Sequence, residues 1–511
     1  MAQNYINQLP VEAFYLIFDK LKIRDQFSAM RTCKLWYDIL SSNRYIRKHQ
    51  FNISVANLCS DVDIQVSDRM KRYPAYTISD ALVPAERQTC FLEALQKFLS
   101  HEEVMFNVED LNFEMCHFSL DDVFGSLQCW NFPNLRKISY SASVRVNRVE
   151  ISHSLVKAPN LTKLQLEDMG LTISPFLQMF STQIEELDVK FQDQQLLFSI
   201  IGSGTFTNLH SLTLSTASGF HFARPYGPYD SHDRYLQIFA QLKYLKICDD
   251  DSSFCATYKD IFQVAKNLET LIVHGTAMRD DSFNAIGDLK KLKELCLRVD
   301  IHSHRSVNKL SLPLLEKMST YVDSFVPFES APKLKRLCIE NEYIFKVSAR
   351  SVAANSNLIR YLRIINQQLE ELHLKEMVLE NPLINQICAL KKLTTLKLTA
   401  VNVKEAPIYR ILSELPQLEY CRFRDCNVET RVSFDNVFGR AREENAEDKE
   451  NMDLFKKLEL MYPHCLIESD TFDLSRDIPD LFCAITGLRP ELSSVENFSS
   501  RSNISDILRS F

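Results

Sequence analysis

The sequence predicts a mixed α/β protein in which a small all-α head precedes a long repeat solenoid. Two observations support this fold class, and a third restricts the functions to consider. A short leucine-containing phrase recurs at nearly constant spacing through most of the 511 residues. The first 50 residues instead show the apolar spacing of short helices. Glycine accounts for only 10 residues, which leaves little material for the glycine-rich loops that bind phosphate.

The recurring phrase is L-x-x-L-x-L, with clear copies at 161–166 and 209–214. Twelve copies, some of them weakened, start between Val108 and Leu418, and eight of the eleven spacings are 23 to 27 residues. This period is typical of leucine-rich repeats. Side chains alternate along a strand, so the leucines face one side and the residues between them face the other. No rung can bury its leucines alone. We therefore expect a horseshoe solenoid with parallel strands on the concave face and helices on the convex face.

The chain divides into four predicted segments. They are the head at 1–51, a linker and N-terminal cap at 52–105, about twelve repeats at 106–470, and a C-terminal extension at 471–511. The extension is rich in serine and poor in aromatic residues, so we expect it to be partly disordered.

Apolar spacing also predicts individual helices between the strands. Three of these are at 84–100, 258–266 and 406–415. Three of the repeat spacings exceed 30 residues, and the additional residues must leave the solenoid as loops or longer helices. Two such insertions lie at 219–235 and at 300–333, and the second should contain a helix over 312–325.

The head is predicted to contain three short helices. Leu9 and Pro10 open the first, since proline is tolerated in a first turn. Four apolar residues share one side of that helix: Phe14, Ile17, Phe18 and Leu21. Asp25 is placed to cap a second helix. The third helix, at 33–40, presents Trp36 on one side. A unit of this size is marginally stable alone, and its apolar content favours coverage by a partner.

The head resembles the F-box over residues 5–51, and one pattern carries the match: Leu9-Pro10-x-Glu12…Ile17-Phe18-x-x-Leu21-x-x-x-Asp25…Cys33-Lys34-x-Trp36. Together with the repeats, the chain resembles an F-box/leucine-rich-repeat protein. Such proteins are substrate receptors of Skp–cullin–F-box ubiquitin ligases. The resemblance implies that the head docks on a Skp-type adaptor, and through it on a cullin–RING scaffold. The repeats would hold a target protein for ubiquitination and proteasomal degradation.

The resemblance also implies an adaptor-binding surface. It comprises six residues: Leu9, Pro10, Ile17, Phe18, Leu21 and Trp36. For Phe14 and Leu40 we favour a place in the core of the head. Residues 1–50 contain eight basic and four acidic side chains, a balance that suits an acidic adaptor. Solvated helix faces account for the same charges.

The outward positions of the last three repeats predict a target-binding surface. Their charges sum to +3, against −2 in the first four repeats. The predicted target-binding residues are His373, Lys375, Lys397, Tyr420, Arg422 and Arg424. Arginine and tyrosine are enriched at binding hot spots, and the positive charge favours an acidic or phosphorylated segment of the target. Cross-strand ion pairing, for example between Glu371 and Lys397, is the alternative.

Several functions find no support in the sequence. The net charge of −7 disfavours a nucleic-acid binder. No apolar run is long enough to span a membrane. No catalytic motif is complete, and His302 and His304 lack further ligands at metal-binding spacing. We therefore expect no enzyme activity, no cofactor and no metal.

The start of the chain lacks the pattern of a secretion signal. We therefore expect a cytoplasmic or nuclear protein with free thiols, which disfavours an extracellular repeat receptor. A scaffold that binds partners without promoting degradation remains an alternative to the ligase receptor, because both need the same head and the same repeat surface.

Overall fold

The computed structural model describes most of the head and of the repeats. The described residues are 9–21, 23–42, 45, 50–53, 70–80, 83, 87–118, 120–124, 130–142, 156–167, 179–191, 206–216, 230–249, 258–275, 278–299, 310–321, 328–341, 358–359, 362–363, 368–424, 426–429, 462 and 464–470. The chain divides into two compact units. Unit 1 comprises Met1–Leu315 and Val326–Ala331, and unit 2 comprises Glu316–Phe325 and Pro332–Phe511. The expected extension at 471–511 lies outside the described residues, as do residues 219–229 of the insertion predicted at 219–235.

The head, in unit 1, consists of three short helices, as the sequence predicts. They are α1 (Val11–Phe18), α2 (Ile23–Met30) and α3 (Lys34–Leu40). Asp25 lies inside the first turn of α2 and so does not cap it, contrary to our expectation. The turn after α1 is held by the buried Gln26, whose Nε2 donates to the carbonyls of Phe18 (2.8 Å) and Leu21 (3.1 Å). These bonds satisfy carbonyl groups that a helix end leaves without partners.

The rest of unit 1 is built from strands and helices that follow one another along the chain. Its strands are β1 (Gln50–Ile53), β2 (Ala75–Ser79), β3 (Asp110–Cys116), β4 (Trp130–Asn131), β5 (Lys137–Ala142), β6 (Val156–Lys157), β7 (Lys163–Glu167), β8 (Glu186–Phe191), β9 (Ser211–Thr216), β10 (Tyr244–Asp249), β11 (Thr270–His274), β12 (Glu294–Arg298), β13 (Leu310–Ser311) and β15 (Phe328–Ser330). Its helices beyond the head are α4 (Gln88–Leu99), α5 (Glu102–Asn107), α6 (Leu120–Phe124), α7 (Asp230–Gln241), α8 (Lys259–Val264) and α9 (Asp280–Ile286). A 3-10 turn spans Met70–Arg72.

Unit 2 repeats the same plan. Its strands are β14 (Lys317–Tyr321), β16 (Arg336–Glu340), β17 (Glu371–Lys375), β18 (Thr395–Thr399), β19 (Asn402–Lys404), β20 (Tyr420–Arg424), β21 (Asn427–Glu429) and β22 (Leu466–Asp470). Its helices are α10 (Asn381–Cys388) and α11 (Glu405–Glu414). The helices predicted at 258–266 and 406–415 correspond to α8 and α11, and the one predicted at 84–100 corresponds to α4.

Within each unit, the long strands that the structure describes pair in parallel with the strand of the next repeat. In unit 1 the sheet runs β1-β2-β3-β5-β7-β8-β9-β10-β11-β12. In unit 2 it runs β14-β16-β17-β18-β20-β22. The leucines of one phrase are register partners of the leucines of the next, as in Leu271 with Leu295. This arrangement confirms the repeat solenoid that the phrase predicts.

Alternation along the strands separates a buried face from an outward face. In β11, Leu271 and Val273 are fully buried, whereas Thr270, Ile272 and His274 are only half-buried. We call the side that carries these intervening residues the outward face. The helices complete the core from the other side of the leucines, as α10 does with four buried residues. Apolar burial by stacked rungs thus supplies the core that no single rung can form.

An asparagine just before the leucine phrase links successive repeats. In four repeats of unit 1 its Nδ2 donates to a carbonyl of the preceding repeat, over 2.6–3.0 Å: Asn134, Asn160, Asn208 and Asn267. The usual asparagine position of such repeats is mostly occupied by other residues in this sequence. These bonds give partners to backbone oxygens at the turns that enter the strands.

Two parts of the sheet differ from the sequence prediction. The helix expected over 312–325 is wrong for residues 312–321, the part of this range that the structure describes, because Lys317–Tyr321 form β14. Leu315, Met318 and Thr320 are buried there in the spacing of the leucine phrase, but the threonine in the last apolar position conceals the repeat. At the other end, β1 and β2 belong to the parallel sheet, so strands begin before residue 106.

Candidate interaction surfaces

An aromatic cluster forms the core of the head. The Phe18 ring lies 5.7 Å from Phe14 and 5.4 Å from Trp36, measured between ring centroids. Tyr45 completes the cluster, and its hydroxyl donates to the carbonyl of Tyr15 (3.3 Å). Edge-to-face contacts of this kind are favourable beyond the area that they bury. The cluster holds the three helices together.

The structure separates the six predicted adaptor-binding residues into three groups by their exposure. Leu9, Pro10 and Ile17 are exposed, whereas Leu21 and Trp36 are partly buried against the core. Phe18 is only 1% exposed. Its placement on the free surface is therefore wrong, because its ring fills the centre of the cluster. The core positions expected for Phe14 and Leu40 are confirmed by their burial.

Exposed apolar side chains concentrate on the head. Six of the eleven large apolar side chains that are exposed among the described residues lie there: Leu9, Val11, Leu16, Ile17, Leu35 and Tyr37. Leu16 is 72% exposed and Ile17 is 45% exposed. Leu16 was not among our predicted residues, although its position off the apolar side of α1 was visible in the sequence. Apolar groups at this density in about thirty residues indicate a surface that a partner covers.

The outward face of β17, β18 and β20 brings the predicted target-binding residues together. Register pairs His373 with Lys397 and Lys397 with Arg422, so these three form one row across unit 2. A second row contains Lys375, Thr399 and Arg424. Tyr420 lies at the start of β20 and is half-buried. The sequence therefore correctly predicted which residues share this face.

Ion pairs reduce the positive character of this face. Lys397 Nζ lies 2.5 Å from Glu371 Oε1, and Lys375 Nζ lies 3.6 Å from Glu340 Oε2. Glu371 also contacts Arg336, with 3.4 Å between Oε2 and Nε. The cross-strand pair that the sequence offered as an alternative is thus present. Lys375 and Lys397 therefore already have carboxylate partners within unit 2.

His373 adds no positive charge near neutral pH. Burial, and then the nearby cations Lys375 and Lys397, lower the pKa of His373 to about 4. Its Nε2 lies 3.0 Å from Thr399 Oγ1. A neutral imidazole at this distance takes part in a hydrogen bond whose direction depends on its tautomer.

The parallel sheet of unit 2 continues past β20 with β22, in which Glu468 and Asp470 are the register partners of Arg422 and Arg424. Sequence reasoning missed β22 because no L-x-x-L-x-L phrase marks it. The face is therefore a mixed-charge surface with an arginine pair near its C-terminal end.

The described residues offer no metal site and no membrane-spanning segment. None of their groups of His, Cys, Asp and Glu side chains is arranged to hold a metal ion. His302 and His304 lie outside the described residues. Within the ranges given above, no helix has both the length and the apolar character needed to cross a membrane.

Comparison with known proteins supports the head and the fold at different levels. Residues 6–52 match the model of the F-box-like family. A search of curated proteins found no match. The family match therefore covers only the head. The assignment of the repeats depends on the parallel strand register described above.

Solved structures with similar folds include repeat proteins of low sequence identity. An internalin from Listeria monocytogenes is 14% identical, with a TM-score of 0.31, over 65% of this chain and 88% of its own. The mouse RP105/MD-1 complex gives 14% identity and a TM-score of 0.36, over 70% of this chain and 53% of the other. A TLR13–ssRNA13 complex gives 14% identity and a TM-score of 0.37, over 75% of this chain and 54% of the other. This chain thus spans about half of the length of the last two.

These TM-scores are too low to support an inference from the neighbours themselves. The assignment of the repeat fold depends instead on this chain's own leucine phrases and on the parallel register of its strands. The assignment of the head depends on its match to the F-box-like family. The chain combines an F-box-like N-terminal domain with a leucine-rich-repeat fold, the composition of an F-box/leucine-rich-repeat protein.

Proposed function

We propose that this protein is a non-catalytic substrate receptor of a Skp–cullin–F-box ubiquitin ligase. The head would dock on a Skp-type adaptor, and the repeats would hold a target protein near the ubiquitin carrier. The observation that carries the proposal is the F-box-like head with its concentration of exposed apolar side chains. A receptor of this kind acts by raising the local concentration of the target lysine, so it needs no catalytic residue of its own.

The adaptor-binding surface that we propose is revised from the sequence prediction. It retains Leu9, Pro10 and Ile17 and adds Leu16, all of which are exposed. Leu21 and Trp36 are partly buried and contribute at the edge of this surface or by supporting it. Phe18 acts through the core, since its ring is enclosed by Phe14, Trp36 and Tyr45.

The target-binding surface that we propose is the outward face of β17, β18 and β20. Tyr420, Arg422 and Arg424 are its central residues, with His373, Lys375 and Lys397 beside them. An acidic or phosphorylated segment of the target would bind near the arginine pair, because guanidinium groups form bidentate hydrogen bonds with carboxylates and phosphates.

Affinity purification from cells with a blocked proteasome tests the proposal. The wild-type protein is compared with Leu9→Ala/Pro10→Ala and with a control, Val378→Ala, which shortens an exposed apolar side chain outside the head. We expect adaptor and cullin to be lost from the double variant alone. Bound targets should persist on the double variant but lose their ubiquitin.

Other outcomes decide between the functions. Adaptor recovery that is the same for all three proteins would refute the proposed adaptor-binding surface, and recovery of no adaptor by the wild type would refute the receptor assignment. Adaptor binding by the wild type without any ubiquitinated target, and without a change in target abundance, would favour the scaffold that binds partners and does not promote their degradation.

A further inference from the structure

A cavity of about 480 Å³ opens on the outward face of β3, β5 and β7 in unit 1. Its lining includes three carboxylates, from Asp110, Glu114 and Glu167, and one cation, Lys137. Met115 and Tyr140 form an apolar part of the wall. The cavity lies on repeats to which neither the adaptor surface nor the proposed target surface has assigned a role.

A β-bulge shapes one side of the cavity. Phe113 pairs with Tyr140 and Cys116 with Ala142, so the two residues between them on β3 oppose only one on β5. One of these is Met115, whose φ of 50° lies in the left-handed region. Its side chain is 60% exposed. Bulges often redirect side chains beside binding sites, and here the bulge places an apolar side chain among the residues that line the cavity.

The carboxylates of the cavity are only partly neutralised by this chain. Glu167 contacts Lys190, and Glu114 accepts a hydrogen bond from Asn112 Nδ2 (2.8 Å). Asp110 Oδ1 is shielded from solvent, and it has no hydrogen-bond partner among the residues that the structure describes. Burial raises the pKa of Asp110, whereas Lys137 opposes the rise. Water is therefore excluded from one oxygen of the Asp110 carboxylate.

We propose that this cavity binds a lysine or arginine side chain presented by a segment of a partner protein. The three carboxylates supply the acceptors for its cationic end. Met115 and Tyr140 supply apolar surface for its aliphatic stem, as in other sites for long basic side chains. The cavity is much larger than a metal ion requires, and it is large enough to admit a long side chain. The partner would be a target of the receptor, so this assignment rests on the proposed function.

Peptide selection with the full-length protein tests the assignment directly. Bead-displayed five-residue peptides with a central lysine or arginine are compared with libraries that carry norleucine or glutamate there. We expect the wild type to retain the cationic libraries selectively. The Kd of the best peptide should rise about tenfold or more in Asp110→Asn and in Glu114→Gln/Glu167→Gln, since each removes a charged hydrogen-bond partner.

The matched control is Glu294→Gln, on the outward face of β12 and outside the cavity. It should bind the selected peptide as the wild type does. Equal retention of norleucine-centred and cationic libraries by the wild type would overturn the assignment even if a variant fails to fold. An unchanged Kd in both folded cavity variants would overturn it as well.

The same proteins separate this assignment from the proposed function. The cavity variants should still recover the adaptor at the wild-type level, because the head is unchanged. Failure of the wild type to bind any adaptor would refute the ligase receptor, while the peptide measurement would still decide whether the cavity binds a cationic side chain.

Discussion

Phe18 and Leu16 lie two residues apart on α1, but they lie in opposite environments. Phe18 is enclosed by Phe14, Trp36 and Tyr45, whereas Leu16 is among the most exposed apolar side chains of the head. Replacing each by alanine should therefore separate folding of the head from binding of its partner. Alanine is a good helix former, so neither change should disturb α1 through intrinsic helix propensity.

The expected magnitudes differ because of burial. Truncating a fully buried phenylalanine costs about 3–5 kcal/mol, which is comparable to the whole stability of a segment of about 50 residues. We therefore expect Phe18→Ala to unfold the head and, as a consequence, to lose adaptor binding. Leu16→Ala should change the free energy of unfolding by less than about 0.5 kcal/mol. If Leu16 is an interface anchor, the same change costs about 2 kcal/mol of binding, or roughly thirtyfold in Kd.

Hydrogen exchange of the head amides and the Kd for a Skp-type adaptor form the assay. Phe18→Ala should lose both amide protection and binding, whereas Leu16→Ala should lose only binding. Val378→Ala is the control for removal of exposed apolar surface. A Phe18→Ala protein with full amide protection and no adaptor binding would refute the assignment of Phe18 to the core and return it to the interface.

Three further predictions concern the repeats. The pKa of His373 is lowered from its ordinary value of 6.5 to about 4, so its contribution to the stability of unit 2 is complete above pH 6.5 and is lost as pH falls towards 4. His373→Gln should therefore flatten the dependence of the thermal midpoint on pH in this window. A pH profile identical to that of the wild type would contradict this prediction. Arg422→Glu/Arg424→Glu should remove target binding but retain the adaptor, with a smaller loss of affinity at high salt; a target that still binds at low salt rules this surface out. Mild alkylation followed by mass spectrometry should label the outward Cys296 well before the buried Cys421, whose pKa burial raises strongly; equal labelling would mean that the assigned facing of the strands is wrong.

Local periodicity of apolar residues was sufficient to predict α4, α8, α11 and most of the strands. The phrase at Leu271 and Val273 predicts a strand with one buried face because alternation is a property of the extended backbone itself. The apolar spacing in α8 and α11 predicts helices for the same local reason. The repeat then follows, since a rung with an uncovered apolar face is stable only beside another.

Local pattern failed where a repeat departs from its consensus. Thr320 stands in an apolar position of β14, and β22 carries no leucine phrase at all. Both strands form because neighbouring repeats offer backbone hydrogen bonds and a core to cover. These hydrogen bonds and contacts come from residues that are distant in sequence, so the local sequence of β14 or β22 does not predict them.

The sequence alone determined that the chain has an F-box-like head, a repeat of parallel strands, and a particular set of residues on one face. Only the tertiary structure decided which of these residues are available. Phe18 and Ile17 share one apolar side of α1, and packing against Trp36 buries the first while leaving the second exposed. Likewise Glu371 neutralises Lys397 from a different strand. Burial and ion pairing depend on distances between residues far apart in the chain, and these are set only when the rungs and helices pack.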